Sequence, residues 1–203
     1  MNPLIEKTAT ALNAHGFDVY TVENGLAARD LVLSLIGKNE SITFGGSATV
    51  NELGVTDALK SGGYLVYDRM EVPPEGRLAF SREHFFSDWF LMSTNAVTEE
   101  GELLNLDGNG NRVAALIFGP ANVIVIAGKN KIVPDMTAAY ERVRKLAAPR
   151  NAQRFPINTP CKKTGACADC LSPDTICAQF VHTRVCKPKG RIKVILVNED
   201  WGF

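Results

Sequence analysis

Leu4, Thr8, Ala11 and Leu12 recur at three- and four-residue intervals, which places them on one face of a helix over residues 3–15. Gly16 stops that pattern, and the apolar residues of 17–22 suit a short strand. A second helix is predicted over 25–36, capped by Gly37. Residues 41–44 read as a strand that runs into Gly45-Gly46-Ser47, with a helix restarting over 48–53 and another strand over 64–67. The polar, Pro- and Gly-rich stretch 68–80 reads as a loop. Residues 81–88 follow as a short helix, with Ser81 as N-cap and Glu83 close behind. Residues 89–93 form an apolar strand leading into Thr94-Asn95-Ala96. Residues 103–106 form a short strand ahead of the turn Asp107-Gly108-Asn109-Gly110. The unbroken apolar run 123–126 suits a strand buried on both faces. Met136, Ala139, Tyr140, Val143 and Leu146 stripe a helix over 134–147, with Pro149 as its stop. Residues 150–190 show little periodicity, and 192–197 form a last strand.

Strands alternating with helices imply an α/β fold: a Rossmann-like, mostly parallel sheet with helices on both faces, plus a C-terminal cysteine-containing loop. The 203 residues suit one domain spanning 1–203, and no internal repeat is visible. The 22 basic and 22 acidic side chains cancel, so no whole-molecule field draws in nucleic acid or an acidic membrane. The beginning of the chain lacks a basic cap followed by an apolar run, and no stretch reaches the ~18 apolar residues of a membrane helix. A cytoplasmic protein is expected. Five cysteines in a reducing compartment then call for a reading other than disulfides.

Three segments carry groups suited to binding. Gly45, Gly46, Ser47 and Thr49 lie between a strand and a helix, where glycines allow close backbone approach, exposed N–H groups favour an anion and two hydroxyls add donors. No Gly-Lys-Ser/Thr follows, so this is not a Walker loop, and the third glycine of a dinucleotide fingerprint is missing. The same residues also suit a tight turn with Ser47 as a plain N-cap. The second segment delivers Asn95, Glu99, Asp107, Asn109, Asn111 and Arg112 beside apolar strands, a density of polar groups that suits a polar pocket. Glu99 or Asp107 could serve as a base, and Arg112 could clamp a phosphate or carboxylate. Two solvated turns are the plainer reading. Third, Lys129 and Lys131 follow the buried strand at the end of the sheet where ligands of open α/β folds bind, and either could neutralise an anion.

Cys161, Cys167, Cys170 and Cys177 lie in one segment, with Cys186 further on. Four thiolates suit an iron–sulfur cluster or tetrahedral zinc, and spacing does not choose between them. His182 could replace one cysteine. Reduced free thiols, or a redox-active Cys-x-x-Cys, are the other readings.

The run TNAVTEEGELLNLDGNGNRVAALIFGP, then VIVIAGKNKIV, PCKKTGACADCLSPDTIC and RIKVILVNEDWGF, together with GGSATVNELG, resembles the LUD (lactate-utilisation) domain family in its stand-alone, cysteine-containing branch. The resemblance implies a fold like that of glucosamine-6-phosphate deaminase, ribose-5-phosphate isomerase and CoA transferases, which bind phosphorylated sugars or thioesters where glycine-rich loops meet the sheet. It also implies a place in oxidising lactate or a related organic acid beside iron–sulfur electron-transfer proteins, with a small anionic metabolite as ligand. Thr175 stands where the family pattern leads one to expect a basic residue. An isomerase, deaminase or transferase acting on a phosphorylated or CoA-linked metabolite, and a non-catalytic binding subunit, are the alternatives. Oligomeric state is left open.

Overall fold

In a computed structural model that describes residues 2–203, six strands form a fully parallel sheet: β1 (Asp18–Val22), β2 (Ser41–Phe44), β3 (Leu65–Tyr67), β4 (Trp89–Met92), β7 (Asn122–Gly128) and β10 (Ile192–Val197). Their order is β1-β10-β7-β4-β2-β3. The chain is thus an α/β protein of Rossmann-like architecture. Side-chain alternation divides the core into two layers. Phe90, Met92, Val123, Val125, Val194 and Leu196 point to one face, where helix α1 (Pro3–Ala14) supplies Ile5, Ala9 and Leu12. Trp89, Leu91, Ile124, Ile126, Ile195 and Val197 point to the other. There they meet α2 (Gly25–Leu35), α3 (Ala48–Glu52) and α4 (Val55–Ser61). The central strand is therefore apolar throughout because both of its faces are covered.

A second sheet was not foreseen from the sequence. It contains β8 (Ile132–Val133), β5 (Ala96–Thr98), β6 (Leu103–Asp107) and β9 (Gln179–Thr183) in that order. The β5–β6 and β6–β9 pairs are antiparallel, whereas β5 and β8 run parallel. Val97 and Leu103 turn toward the α1 layer, whereas Ala96, Leu104 and Leu106 pack on Ala139, Val143 and Ala148 of the helical stretch beyond β8. The β9 pairing pulls the cysteine-bearing segment onto the body of the protein.

Several local expectations are corrected. The helix expected over 81–88 is α5 (Arg77–Glu83), followed by a 3-10 turn (His84–Phe86). Ser81 sits inside it, its hydroxyl donating to the Arg77 carbonyl, because the chain begins to coil before the first good capping residue. Ile36 is extended after α2, and Gly37 instead donates its N–H to Glu40. Helix α6 (Asn111–Phe118) follows the Asp107–Gly110 turn, a stretch with no helical expectation from its pattern. Pro149 does not stop its helix: α7 (Met136–Arg142) widens into a π-helical turn at Val143–Ala147 and continues as α8 (Ala148–Ala152). A π-turn shifts the carbonyls that a proline ring would strike, so the helix passes through. Within residues 150–190, α9 (Pro160–Thr164) adds a further short helix. Among the described residues, no helix is long and apolar enough to cross a membrane.

Candidate functional site

The carboxyl ends of β2, β4 and β7, adjacent in the parallel sheet, open into a cavity of about 430 Å³. After β2 come Gly46 and Ser47, after β4 come Ser93, Thr94 and Asn95, and beyond β7 comes Lys131. The turn after β6 adds Asp107, Asn109, Asn111 and Arg112. Arg69, Arg154 and the Pro173–Ile176 stretch of the cysteine segment complete the wall. The lining holds four cationic side chains (Arg69, Arg112, Lys131, Arg154) against two carboxylates (Asp107, Asp174).

Arg112 is the organising group. Its Nη1 donates to the Ser93 carbonyl at 3.1 Å and to Asn105 Oδ1 at 2.8 Å. Its Nη2 donates to Asn95 Oδ1 at 3.1 Å and to the Leu106 carbonyl at 2.6 Å. The Nε faces Asp107 at 3.7 Å. All four Nη hydrogens are thereby committed to protein, so Arg112 ties the loops after β4 and β6 together and its fork has no pair of donors left for a clamp. Burial lowers its pKa from the ordinary guanidinium value, with Asp107 opposing. Gly45 belongs to the same arrangement. A Cβ there would lie 2.9 Å from Arg112 Cγ and 3.2 Å from the Phe90 ring, so its lack of a side chain makes room for the arginine.

Asp107 also has an occupation of its own. Its carboxylate accepts the N–H groups of Gly110, Arg112 and Val113, at 3.1, 3.2 and 3.3 Å, and so closes the start of α6. Three of its roughly four acceptor sites are thus taken by the backbone, which marks it first as a helix cap. Glu99 lies outside the cavity lining: it follows β5 and pairs with Lys7 at 2.6 Å. Lys129 is likewise outside, two residues before the lysine that does line the cavity.

Ser47 is the N-cap of α3, accepting the Val50 N–H at 3.2 Å, and α3 is only five residues long. Its dipole is correspondingly small, so any preference for anions comes from side chains rather than from this helix. Thr49 is sealed beneath the surface; its hydroxyl donates to the Trp201 carbonyl and accepts from Lys131. Gly46 does have a steric role at the cavity. A Cβ there would stand 2.9 Å from Arg69 Nη2, so the missing side chain lets that guanidinium lie across the loop. No protein group accepts a hydrogen bond from Arg69 among the described residues. Its pKa is lowered by burial and by Arg77 and Arg154, against Asp107 and Asp68. Arg154 spends one donor on Asn151 and rests near the Phe155 and Phe203 rings. Asn95 accepts the Leu106 N–H at Oδ1, which leaves its amide group toward the cavity. Asn109 and Asn111 stand on the lining.

Lys131 is the most unusual residue of the site. It is 2% exposed, and its Nζ donates to Thr49 Oγ1 at 2.8 Å and Ser93 Oγ at 2.9 Å. Burial, then the Arg142 and Arg112 charges, bring its pKa down to about 7, with Glu52 opposing. Nothing in its sequence setting singled it out from Lys129. Arg69, Arg154 and Asp174 were missed altogether, since they come from stretches that read as loops and have no motif around them.

The cysteines flank this cavity without lining it. Cys161 and Cys186 are buried, Cys170 and Cys177 are partly covered, and Cys167 is exposed. Burial pushes the Cys177 thiol up, and Cys161, Cys167 and Cys170 push it the same way, so four thiols are gathered in one region. Among the described residues, no three cysteine, histidine, aspartate or glutamate side chains converge closely enough to hold a metal ion as they stand. His182 is turned elsewhere, to Glu102 at 2.9 Å.

A parallel α/β sheet with a cation-lined cavity at its carboxyl edge defines the class of protein. The chain belongs to the LUD domain family, whose sequence profile matches residues 5–197. Among solved structures, a DUF162 family protein from Deinococcus radiodurans is similar in fold. It is 14% identical, with 96% of each chain covered and a TM-score of 0.58. No curated protein sequence matches.

Proposed function

We propose that this LUD-domain protein binds a small anionic metabolite in the cavity, as a cytoplasmic component of lactate or related organic-acid oxidation. One observation carries the reading. Arg69 lies in the cavity against Gly46 with no protein acceptor, next to a second lightly committed guanidinium, Arg154. A guanidinium offers a planar fork of donors suited to a carboxylate or phosphate. The cavity volume falls within the usual range for small-molecule sites. The isomerase, deaminase or transferase alternative needs a free base, and Asp107 and Glu99 are both engaged with protein groups. That removes the two carboxylates the sequence offered to it.

The test is a thermal-shift and calorimetric panel of lactate, 2-oxo acids, sugar phosphates and CoA esters. A ligand at 100 times its Kd stabilises the folded state by about 2.7 kcal/mol. Binding by organic acids that is weakened in Arg69→Ala supports the proposal. Binding by phosphorylated compounds alone transfers support to the alternative, and binding by none removes the anion site.

The gathered thiols favour a second reading: Cys161, Cys167, Cys170 and Cys177 as ligands of an iron–sulfur cluster, or of zinc. Their present positions do not form a site, so this reading needs the cysteine segment to rearrange. A cluster there would supply one-electron transfer to iron–sulfur partner proteins, next to the wall formed by Pro173–Ile176. Protein prepared without oxygen should contain iron and acid-labile sulfide, or zinc. Protein free of all three leaves the cysteines as reduced thiols.

A further inference from the structure

Lys131 combines features that anion binding alone does not require. An ordinary lysine that neutralises an anion keeps its ammonium hydrated or paired with a carboxylate. Lys131 is almost wholly enclosed, and no carboxylate pairs with it among the described residues. Its two hydrogen-bond partners are hydroxyls whose own protons are already spent. Thr49 Oγ1 donates to the Trp201 carbonyl at 3.3 Å, and Ser93 Oγ donates to the Thr94 carbonyl at 3.3 Å. Both hydroxyls must therefore accept from Lys131. Two N–H groups of the amine are fixed in this way, and the remaining tetrahedral position on nitrogen is uncommitted. In the neutral amine that position is a lone pair. Lys131 is also one of the residues that line the cavity, beside Ser93 and Arg112.

We propose that Lys131 is an amine nucleophile that forms a Schiff base with the carbonyl carbon of a small oxo-anion held in the cavity. This rests on the anion-binding reading and narrows its ligand class to carbonyl-bearing anions such as 2-oxo acids. The nitrogen lone pair adds to the carbonyl carbon as the C–O π bond breaks, and one amine proton passes to that oxygen. The second amine proton follows, the oxygen leaves as water, and the C=N bond is complete. No oxidant or reductant is consumed. Ser93, bonded to Nζ and itself on the cavity wall, relays those protons by turning its hydroxyl from the Thr94 carbonyl toward the cavity. Arg69 and Arg154 supply the charge that holds the anionic end. The lowered pKa fits this chemistry. With a pKa lowered to about 7, Lys131 holds far more free amine at neutral pH than an ordinary lysine, for which it is roughly one part in 2,500.

The experiment is reductive trapping of the intact wild-type protein. Pyruvate, glyoxylate or 2-oxobutyrate is added with cyanoborohydride near pH 7, and the modified residue is mapped by peptide mass spectrometry. The expected result is a single reduced adduct on Lys131, at least about tenfold more abundant than on any other lysine, in keeping with its larger free-amine fraction. Excess lactate, which has no ketone or aldehyde carbonyl, should protect Lys131 without forming an adduct. Binding of 2-oxo acids with no adduct at Lys131 overturns the nucleophile while sparing the anion site. Adducts spread evenly over exposed lysines overturn it too. Absence of any binding in the calorimetric panel instead removes the site itself. Because the readout is the mapped residue of the wild-type chain, the outcome does not depend on a Lys131 variant folding.

Discussion

At the scale of single residues, the two adjacent glycines after β2 do different work. A methyl group at Gly45 would press on Arg112, which is held by four hydrogen bonds and cannot retreat. Gly45→Ala should cost about 1–3 kcal/mol of stability, read by urea denaturation. At Gly46 the obstructing atom is the far end of the flexible Arg69. Gly46→Ala should leave stability nearly unchanged yet weaken anion binding about tenfold, because the guanidinium is displaced from its place. Equal losses of stability in the two variants would contradict this division. Lys131 makes a prediction in pH. Its folded-state pKa of about 7 lies below its unfolded value, so from there up to ~10.4 the unfolded chain binds more protons. Stability from this group therefore rises with pH in that window, by up to about 1.4 kcal/mol per unit. Lys131→Met should gain stability over wild type at pH 7, and that advantage should shrink steadily as pH rises toward ~10.4. A pH-independent difference between the two would show an ordinary lysine.

At the scale of elements, α6 depends on a carboxylate placed ahead of it by β6. Asp107 accepts three backbone N–H groups at that junction, and no side chain of the preceding Gly110 can replace it. Asp107→Ala should cost about 1–2 kcal/mol, as lost helix caps do. If it spared stability and abolished ligand turnover instead, Asp107 would be a base after all. The capping pattern is present in the sequence as Asp107 followed by two glycines, but the same residues equally suit a free turn, so the pattern alone does not specify a helix behind them. The 134–147 stripe was read correctly as helical, yet its end was misplaced. Pro149 is a stop signal only where the preceding turn keeps α-helical spacing, and Val143–Ala147 does not.

Across the whole molecule, the cavity is assembled from at least five separate stretches of chain, and the strap formed by residues 199–203 ties two of them together. Glu199 accepts from the Gly25 N–H, its carbonyl accepts from Lys129, and Gly202 exchanges hydrogen bonds with Glu52 and Asn130. Trp201 packs where a side chain on Gly25 would stand. Arg69→Ala and Arg154→Ala combined should abolish the anion-induced rise in Tm while each single variant reduces it, as measured by thermal shift at low salt. A rise undiminished in the double variant would locate the anion elsewhere.

Hydrophobic alternation by itself determined the parallel sheet, its helices and the position of most strands, because burial on two faces imposes an unbroken apolar run and burial on one helical face imposes a three-to-four spacing. It also placed Gly46, Ser47 and Asn95 near one sheet edge, since loops after parallel strands share that edge, whereas Arg112 reaches it from the second sheet. Only the tertiary structure decided which polar groups are free. Asp107 is taken up by N–H groups three to six residues on and Arg112 by acceptors gathered from Ser93, Asn95, Asn105 and Leu106, while Arg69 and Lys131 acquire their environments from segments 23 and 82 residues away. Availability of a donor depends on what else is packed around it, and that is a property of the fold rather than of the chain's local pattern.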